Sequence, residues 1–322
     1  MKACVVQELS GPNGLAYTDV DDVVGYDGTL VVGVRAAGVC FPDLLMSKGE
    51  YQLKLPPPFI PGMEAAGVVD WAPEESEFKV GERVSAFGIL GGYAEKVVVP
   101  LANVTRSPAE LDDAEAVSLL VNYNTMYFAL ARRAAMRQGE SVLVLGSAGG
   151  VGTAAIQVAK AMGASKVIAV VHRTAATGFV ESLGADVVLP LADGWAQAVR
   201  EHTDDRGVDI VVDPVGGQAF DDAVRVLAID GKLLVIGFAA GSIPTIKVNR
   251  LLLRNAGVLG VAWGEYLHQV PGSASLFSFG LNQLVSAGLK PPPPQRYPLS
   301  DGSAALQTLA DGGVFGKLVL EP

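Results

Sequence analysis

Residues 142–160 read VLVLGSAGGVGTAAIQVAK: an apolar β-type run, a turn carrying Gly146, Gly149, Gly150 and Gly152, then apolar residues at helical spacing. This stretch constrains the fold more than any other. Glycines at a strand-to-helix turn let the backbone approach an anionic group closely, and the first helical N–H groups then point at that group. A strand followed by a helix also commits the next strand to run parallel, because the helix carries the chain back across the sheet. The chain is thereby driven towards a sheet covered by helices on both faces. A Walker-type phosphate loop is excluded, since no Gly-Lys-Ser/Thr follows the turn.

The surrounding sequence continues the pattern. A helical stretch, YNTMYFALARRAAM, opens this part of the chain, and strand and helix patterns then alternate through SVLVLG, KVIAVV, DVVLP, VDIVVDP, KLLVIG and GVLGVAW. Residues 122–264 are read as a doubly wound parallel Rossmann sheet, the α/β class. Residues 1–121 have another texture. Short β-type runs punctuated by Gly and Pro (ACVVQEL, LVVGVRAAG, AAGVVDWA, ERVSAFG, YAEKVVV) predict a β-rich domain. Residues 265–322 hold a helix at LFSFGLNQLVSAG, the stiff surface connection PPPP (291–294), a helix near 303–311 and a last strand, GKLVLEP. They read as a return segment that completes the first domain.

Half of the residues are hydrophobic, yet no apolar run reaches the ~18 uncharged residues of a membrane helix. The nearest, 233–246, is broken by Gly and Pro, so the hydrophobicity is assigned to buried strands. The N-terminal residues read as a strand without an apolar signal core. Two cysteines, Cys4 and Cys40, cannot build a disulfide framework or a cysteine-rich metal site, which fits a reducing cytoplasm. Twenty-four Lys and Arg against 34 Asp and Glu give a net charge of −10, the opposite of a nucleic-acid binder's basic footprint.

With strand and helix in place on either side, the glycine turn is read as a dinucleotide-binding loop, with Ser147, Ala148, Gly149, Gly150, Val151 and Gly152 cradling a pyrophosphate. The next strand ends at Val171. An NAD-binding unit carries an acid for the ribose 2′-OH about 20 residues past the loop. Here His172 and Arg173 stand there, Arg173 lying 21 residues after Gly152, and no acid occurs between Lys160 and Glu181. A carboxylate repels a 2′-phosphate and a guanidinium pairs with it, so the expected cofactor is NADPH. The alternative for Arg173 is a solvated surface residue.

The segment GESVLVLGSAGGVGTAAIQVAK (139–160) resembles the signature of quinone oxidoreductases related to zeta-crystallin, a branch of the medium-chain dehydrogenase/reductase superfamily. The likeness rests on Gly139, Glu140, Leu143, Ser147, Ala148, Gly149, Gly150, Gly152, Gln157 and Lys160. It extends through AAGVCFPDLLMSKG (36–49), PGMEAAGVV (61–69), VGERV (80–84), GGYAE (91–95), DPVGG (213–217) and GKLVL (316–320). The resemblance implies that the β-rich domain is GroES-like and catalytic. In zinc members of the superfamily a Cys, the His of a Gly-His-Glu motif and a later Cys or acid hold the metal. Cys40 stands at the first position, but Met63 replaces the histidine, and the four-cysteine loop of a structural zinc is absent. A thioether is a poor zinc ligand beside imidazole. No metal site is expected, and Met63 is read as core filler.

The resemblance further implies an acceptor pocket that includes Cys40, Phe41, Asp43, Leu45 and Tyr51, with Thr125 and the loop Gly237, Phe238, Ala239, Ala240, Gly241 at the nicotinamide end. Characterised relatives often carry Asn at the position of Cys40 and Tyr at that of Leu45, so this pocket is more apolar. Tyr51 and Tyr123 are the candidates for a proton donor or carbonyl hydrogen bond; for each the alternative is a packed aromatic with a satisfied hydroxyl. Cys40 reads as a pocket-lining thiol rather than a nucleophile, and Asp43 either orients the cofactor or sits in a turn. Without zinc the acceptor must already be electron-poor. The expected activity is NADPH-dependent hydride transfer to a quinone. The alternative is an α,β-unsaturated carbonyl or enoyl thioester. A reading of another class, a structural or RNA-binding family member, is opposed by the acidic charge and the intact glycine turn. The apolar stretch AGVLGVAW (256–263), with no helix pattern directly after it, predicts an exposed edge strand and, as the resemblance also implies, a homodimer.

Overall fold

The computed structural model describes residues 1–87, 90–270 and 272–322. The chain divides into two compact units. The first is Met1–Val121 with Pro271–Ser278 and Lys290–Pro322; the second is Asn122–Val270 with Phe279–Leu289. The segment beyond 265 is thus shared between them. Residues 279–289 go to the second unit for a packing reason: Gly280 lies so close to Tyr127 that a Cβ there would sit 2.2 Å from the tyrosine hydroxyl.

The first unit begins with a hairpin of β1 (Lys2–Val6) and β2 (Leu15–Asp19). Its main sheet is built on β3 (Thr29–Val39), which pairs antiparallel with β4 (Glu64–Trp71). From there β5 (Arg83–Phe87) pairs with β4, β6 (Lys96–Pro100) returns to β3, and β7 (Val104–Arg106) lines β5. Gly88, the end of the run predicted as the fourth strand, lies outside the described residues. Helix α1 (Phe41–Ser47) follows β3, and α2 (Asp113–Ser118) starts on a capping box in which Asp112 and Glu115 accept each other's backbone N–H.

In the second unit α3 (Asn124–Tyr127) lies in a helical stretch that widens into π turns at Leu119–Tyr123 and Phe128–Arg133. The sheet comprises β8 (Ser141–Leu145), β9 (Lys166–Val171), β10 (Val187–Pro190), β11 (Val208–Asp213), β12 (Leu227–Val235) and β13 (Gly257–Gly260). All neighbours are parallel, in the order β10-β9-β8-β11-β12-β13. This is the Rossmann strand order, as expected from the sequence, with its switch point between β8 and β11. Every residue of β8 is buried, which is why its sequence is an unbroken apolar run rather than an alternation.

The end of this sheet differs from expectation. β13 stops at Gly260, and a helix, Trp263–Gln269, follows almost at once. Trp263 is buried, the Tyr266 ring meets Phe128 at 4.9 Å, and Gln269 bonds Glu265 one turn back at 3.0 Å. Tertiary packing of two aromatic residues at i, i+3 makes a helix whose short sequence shows no clear period. The chain then returns to the first unit as β14 (Gln295–Pro298) and β15 (Leu318–Glu321), the latter antiparallel to β3. The PPPP run is a connection without strand or helix, but Pro291 and Pro294 are buried rather than on the surface. Leu299, Ala305, Leu306, Leu318 and Leu320 join Leu30, Val32 and Val84 in one apolar cluster, so the C-terminal residues complete the N-terminal core.

Where β3 crosses β4 the backbones come very close: a Cβ on Gly67 would stand 2.0 Å from the Gly33 carbonyl oxygen, whereas one on Gly33 meets nothing nearer than 3.7 Å. Gly67→Ala should therefore cost about 2–3 kcal/mol in chemical denaturation. Gly33→Ala should change stability by less than about 1 kcal/mol. Equal effects would show that backbone approach is not what requires glycine at 67.

Candidate active site

The glycine turn sits at the carboxyl end of β8. Gly146 has φ +59, the left-handed region that glycine adopts without a Cβ penalty. Gly149 is the N-cap of α4 (Gly150–Ala161), and Thr153 N–H makes the first bond of the helix, to Gly149 O at 2.8 Å. The N–H groups of Gly150, Val151 and Gly152 precede that bond and form the positive end of a twelve-residue helix. Gly152 has no room for a side chain, since a Cβ would lie 2.3 Å from Gly146 O. Ser147 plays a part the sequence did not indicate. Wholly buried, its hydroxyl lies 2.6 Å from Val144 O and 3.0 Å from Val170 O, bracing β8 against β9. Ala148 completes the turn.

Two further segments of the second unit reach the same carboxyl edge. At the end of β11 the Asp213 carboxylate accepts Val215 N and Gly216 N, both at 2.8 Å, and Gly216 and Gly217 have φ +65 and +61. This turn carries the Gly237–Gly241 loop: Ala239 N bonds Pro214 O at 3.1 Å, and Ala240 N bonds Val215 O at 2.9 Å. Asp213 was not singled out from the sequence; the signal for it is an acid followed by two glycines at a strand end. His172 and Arg173 are exposed directly after β9, and Phe238 is 40% exposed on its loop. Thr125 is half-buried in α3. Tyr123 is buried and donates its hydroxyl to Gln157 Oε1 on α4. Of the two readings open for Tyr123, the geometry favours the packed aromatic with a satisfied hydroxyl.

In the first unit the expected pocket residues meet a polar cluster of which the sequence indicated only part. Cys40 is the N-cap of α1 and Asp43 its N3 residue. Asp43 is completely buried and accepts three hydrogen bonds: Cys40 N at 2.9 Å, Gly62 N at 3.2 Å and the Tyr93 hydroxyl at 3.1 Å. It caps the helix and holds the 61–63 turn, the structural of its two readings. Burial pushes its carboxyl up to about 6, against the pull of the Cys40 amide. Burial also raises the Tyr93 hydroxyl well above its usual range.

Beside it, Glu64 and Lys317 form a buried ion pair through Glu64 Oε1. The Cys40 thiol donates to the same Oε1 at 3.2 Å, and the Lys317 ammonium donates to Cys40 Sγ at 3.1 Å. The other carboxylate oxygen accepts Val121 N at 2.7 Å. Burial works against the Lys317 ammonium, but Cys40 and Glu64 outweigh it and its pKa is raised. Burial, then the Glu64 charge, push the Cys40 thiol well above its ordinary range. Gly38 makes the space, because a Cβ there would lie 2.1 Å from Glu64 Oε1. Glu64 and Lys317 escaped the sequence reading because they are 253 residues apart and only the pairing of β15 with β3 brings them together.

Met63 is half-buried, not core filler: it lies between Gly62 and Glu64, whose groups turn inward. Among the described residues no group of three or more His, Cys, Asp or Glu side chains is set to hold a metal ion. Phe41 is 42% exposed, Leu45 half-buried, and Tyr51 half-buried with no hydrogen bond to its hydroxyl among the described residues. Burial raises the Tyr51 hydroxyl's pKa. No described helix is long and apolar enough to cross a membrane.

Known proteins match both units. The alcohol dehydrogenase GroES-like domain family matches residues 26–109, and the zinc-binding dehydrogenase family matches residues 150–278. The crystal structure of a probable oxidoreductase from Mycobacterium abscessus is 60% identical, with a TM-score of 0.93 over 100% of this chain and 99% of that one. The quinone oxidoreductase from Thermus thermophilus, solved also as its complex with NADPH, is 34% identical with a TM-score of 0.84, covering 100% of both chains. Quinone oxidoreductase-like protein 2 of Bos taurus is 33% identical over 292 residues, 90% of this chain and 84% of that protein. With the Rossmann strand order, the glycine turn and these relatives in agreement, the chain belongs to the quinone oxidoreductase group of the medium-chain dehydrogenase/reductase superfamily and is an oxidoreductase.

Proposed function

We propose that the chain is an NADPH-dependent reductase of the cytoplasm that passes hydride, without zinc, to a quinone. The observation that carries this reading is the end of β9, where exposed His172 and Arg173 stand in place of the carboxylate of an NAD-binding sheet. The strand before it, β8, ends in a turn that fits a dinucleotide. The missing Cβ at Gly152 lets α4 pack directly against the turn backbone at Gly146 and Ser147, and the N–H groups of Gly150, Val151 and Gly152 supply donors for a pyrophosphate. Arg173 supplies a guanidinium for the 2′-phosphate, and the Gly237–Gly241 loop, braced by the Asp213 turn, serves the nicotinamide end. NADPH supplies, when bound, a hydride at C4 of its nicotinamide.

Zinc independence is supported by the donor set. Met63 offers a thioether in place of imidazole, and Cys40 and Glu64 are already engaged by Lys317. The acceptor must therefore be electron-poor, which a quinone is. The Tyr51 hydroxyl, without a hydrogen-bond partner among the described residues, is the candidate to bond an acceptor oxygen. A second reading, reduction of an α,β-unsaturated carbonyl, is favoured by the apolar wall at Leu45 and by a Cys40 thiol that is fully engaged. Steady-state rates with NADPH against a quinone, an alkenal and an enoyl thioester separate the two.

The dimer reading is supported by β13 at the sheet edge and by Leu252 and Leu253 just before it, 76% and 81% exposed. Light scattering should give twice the chain mass at micromolar concentration; a monomer there would count against it. Purified protein should contain no stoichiometric zinc, and a chelator should leave turnover intact. One tightly held zinc, lost together with activity, would refute the zinc-free mechanism. NADPH should be preferred over NADH, and Arg173→Ala should raise the KM for NADPH roughly 10- to 100-fold, the loss of one charge-assisted hydrogen bond. The kcat should stay nearly constant, since the 2′-phosphate is held equally in ground and transition states. A matching loss with NADH would show Arg173 to be a structural residue.

A further inference from the structure

Cys40 lies among the residues assigned to the acceptor pocket, yet quinones and enones are electrophiles that add thiolates across their C=C bonds. A cysteine beside a lysine ammonium is the setting that ordinarily makes a thiolate. Here the ammonium stands 3.1 Å from the sulfur, so a reactive thiolate is what this pair alone would produce. The structure adds a third member. Glu64 Oε1 receives both the Lys317 ammonium and the Cys40 S–H, and its position is built in: Gly38 clears the space, and Val121 N–H fixes the other carboxylate oxygen at 2.7 Å.

We propose that Glu64 is a guard residue: by offsetting the Lys317 charge and accepting a hydrogen bond from the Cys40 S–H, it keeps Cys40 a neutral thiol and prevents the electrophilic acceptor from arylating the pocket. The inference deepens the proposed quinone or enone chemistry and rests on it for its biological purpose. The charges facing the sulfur are few. Lys317 favours the thiolate. Glu64 opposes it, and so does Asp43, which bonds the Cys40 amide rather than the thiol. Tyr93 bonds Asp43 and is neutral. The thiol's pKa, raised by burial and by Glu64, agrees with this balance.

The reaction that is prevented balances without any further reagent. The sulfur lone pair forms an S–C bond to a quinone ring carbon, and the C=C pair moves to the conjugated oxygen. The thiol proton and a proton shift from the ring then leave a substituted hydroquinone. Glu64→Gln keeps the shape and removes the charge, leaving the buried ammonium with Cys40 as its nearest ionisable partner. Removing the Glu64 charge takes away one cause of the raised thiol pKa, and as that pKa falls the thiolate fraction rises faster than the nucleophilicity of each thiolate declines.

The test incubates wild type, Glu64→Gln, Glu64→Asp and Lys317→Met at about pH 7.5 with iodoacetamide and, in parallel, with 1,4-benzoquinone. Peptide mapping follows Cys40 and Cys4. Glu64→Gln should label at Cys40 at least about tenfold faster than wild type. Glu64→Asp keeps the charge and Lys317→Met removes the cation, so both should stay as inert as wild type. Cys4 and Cys40 are both buried, but the Cys4 thiol donates to Leu299 O and has no part in the Glu64–Lys317 cluster, so Cys4 should stay unlabelled throughout as a reporter of folding. Labelling of wild type as fast as Glu64→Gln, or of Lys317→Met as fast as Glu64→Gln, would overturn the proposal. If Glu64→Gln labels at Cys4 as well, it has not folded, and an ultraviolet thiolate titration of wild type against Cys40→Ser decides. No ionisation of Cys40 between about pH 6 and 8 supports the guard, and a step in that range overturns it. Iodoacetamide reports on the thiol whatever the acceptor is, so a guard that holds in a protein that does not turn over quinone would refute only the functional reading.

Discussion

The Glu64–Lys317 ion pair is the constraint around which the first unit is arranged. It ties the first residue of β4 to the residue just before β15, and β15 in turn lies against β3 with Leu318 opposite Val39. A buried pair of this kind is weak evidence for stability as such, because desolvation offsets much of the attraction. Its consequence is specificity. Any slip of β15 along β3 would leave a buried charge unpaired, and breaking such a pair costs several kcal/mol (about 3–5). The pair therefore fixes where the C-terminal strand sits, and through Val121 it fixes the last residue of the unit's N-terminal segment as well.

Asp43 does for the loops what Glu64 does for the strands. One buried carboxylate collects a helix N-terminus, the turn at Gly62 and a tyrosine hydroxyl. Asp43, Glu64 and Lys317 thus place charged groups in the interior of the unit. The donors around Asp43 and the ammonium beside Glu64 are what make that burial tolerable. The second unit relies on apolar strands, with the buried Asp213 carboxylate holding one of its turns. The inner parallel strands β8, β9 and β11 bury on both faces, and the approach of α4 to its turn is set by the absence of a Cβ at Gly152.

Much of this was legible along the chain. The parallel sheet was, because strands buried on both faces read as unbroken apolar runs, as in VLVL and KVIAVV. The glycine turn was, because glycine at 146, 149, 150 and 152 has few other uses between a strand and a helix. The short strands β2, β7 and β14 were not, since three to five residues carry too little pattern. Nor was the helix Trp263–Gln269, which owes its existence to the contact of Tyr266 with Phe128 rather than to periodicity.

The amino-acid sequence by itself determined the alternation of strands and helices from β8 to β12, the position of the glycine turn, the His172–Arg173 pair after β9 and the replacement of a histidine by Met63. Each is a local property, readable within a few residues, because it depends on side-chain volume, charge or backbone freedom at adjacent positions. Only the tertiary structure decided what Cys40, Asp43, Tyr123 and Ser147 do. Their partners are Lys317, Tyr93, Gln157 and Val170, between 23 and 277 residues away. The physical reason is that a hydrogen bond or an ion pair depends on distances in space. The sheet pairings that set those distances are made by strands far apart in the chain.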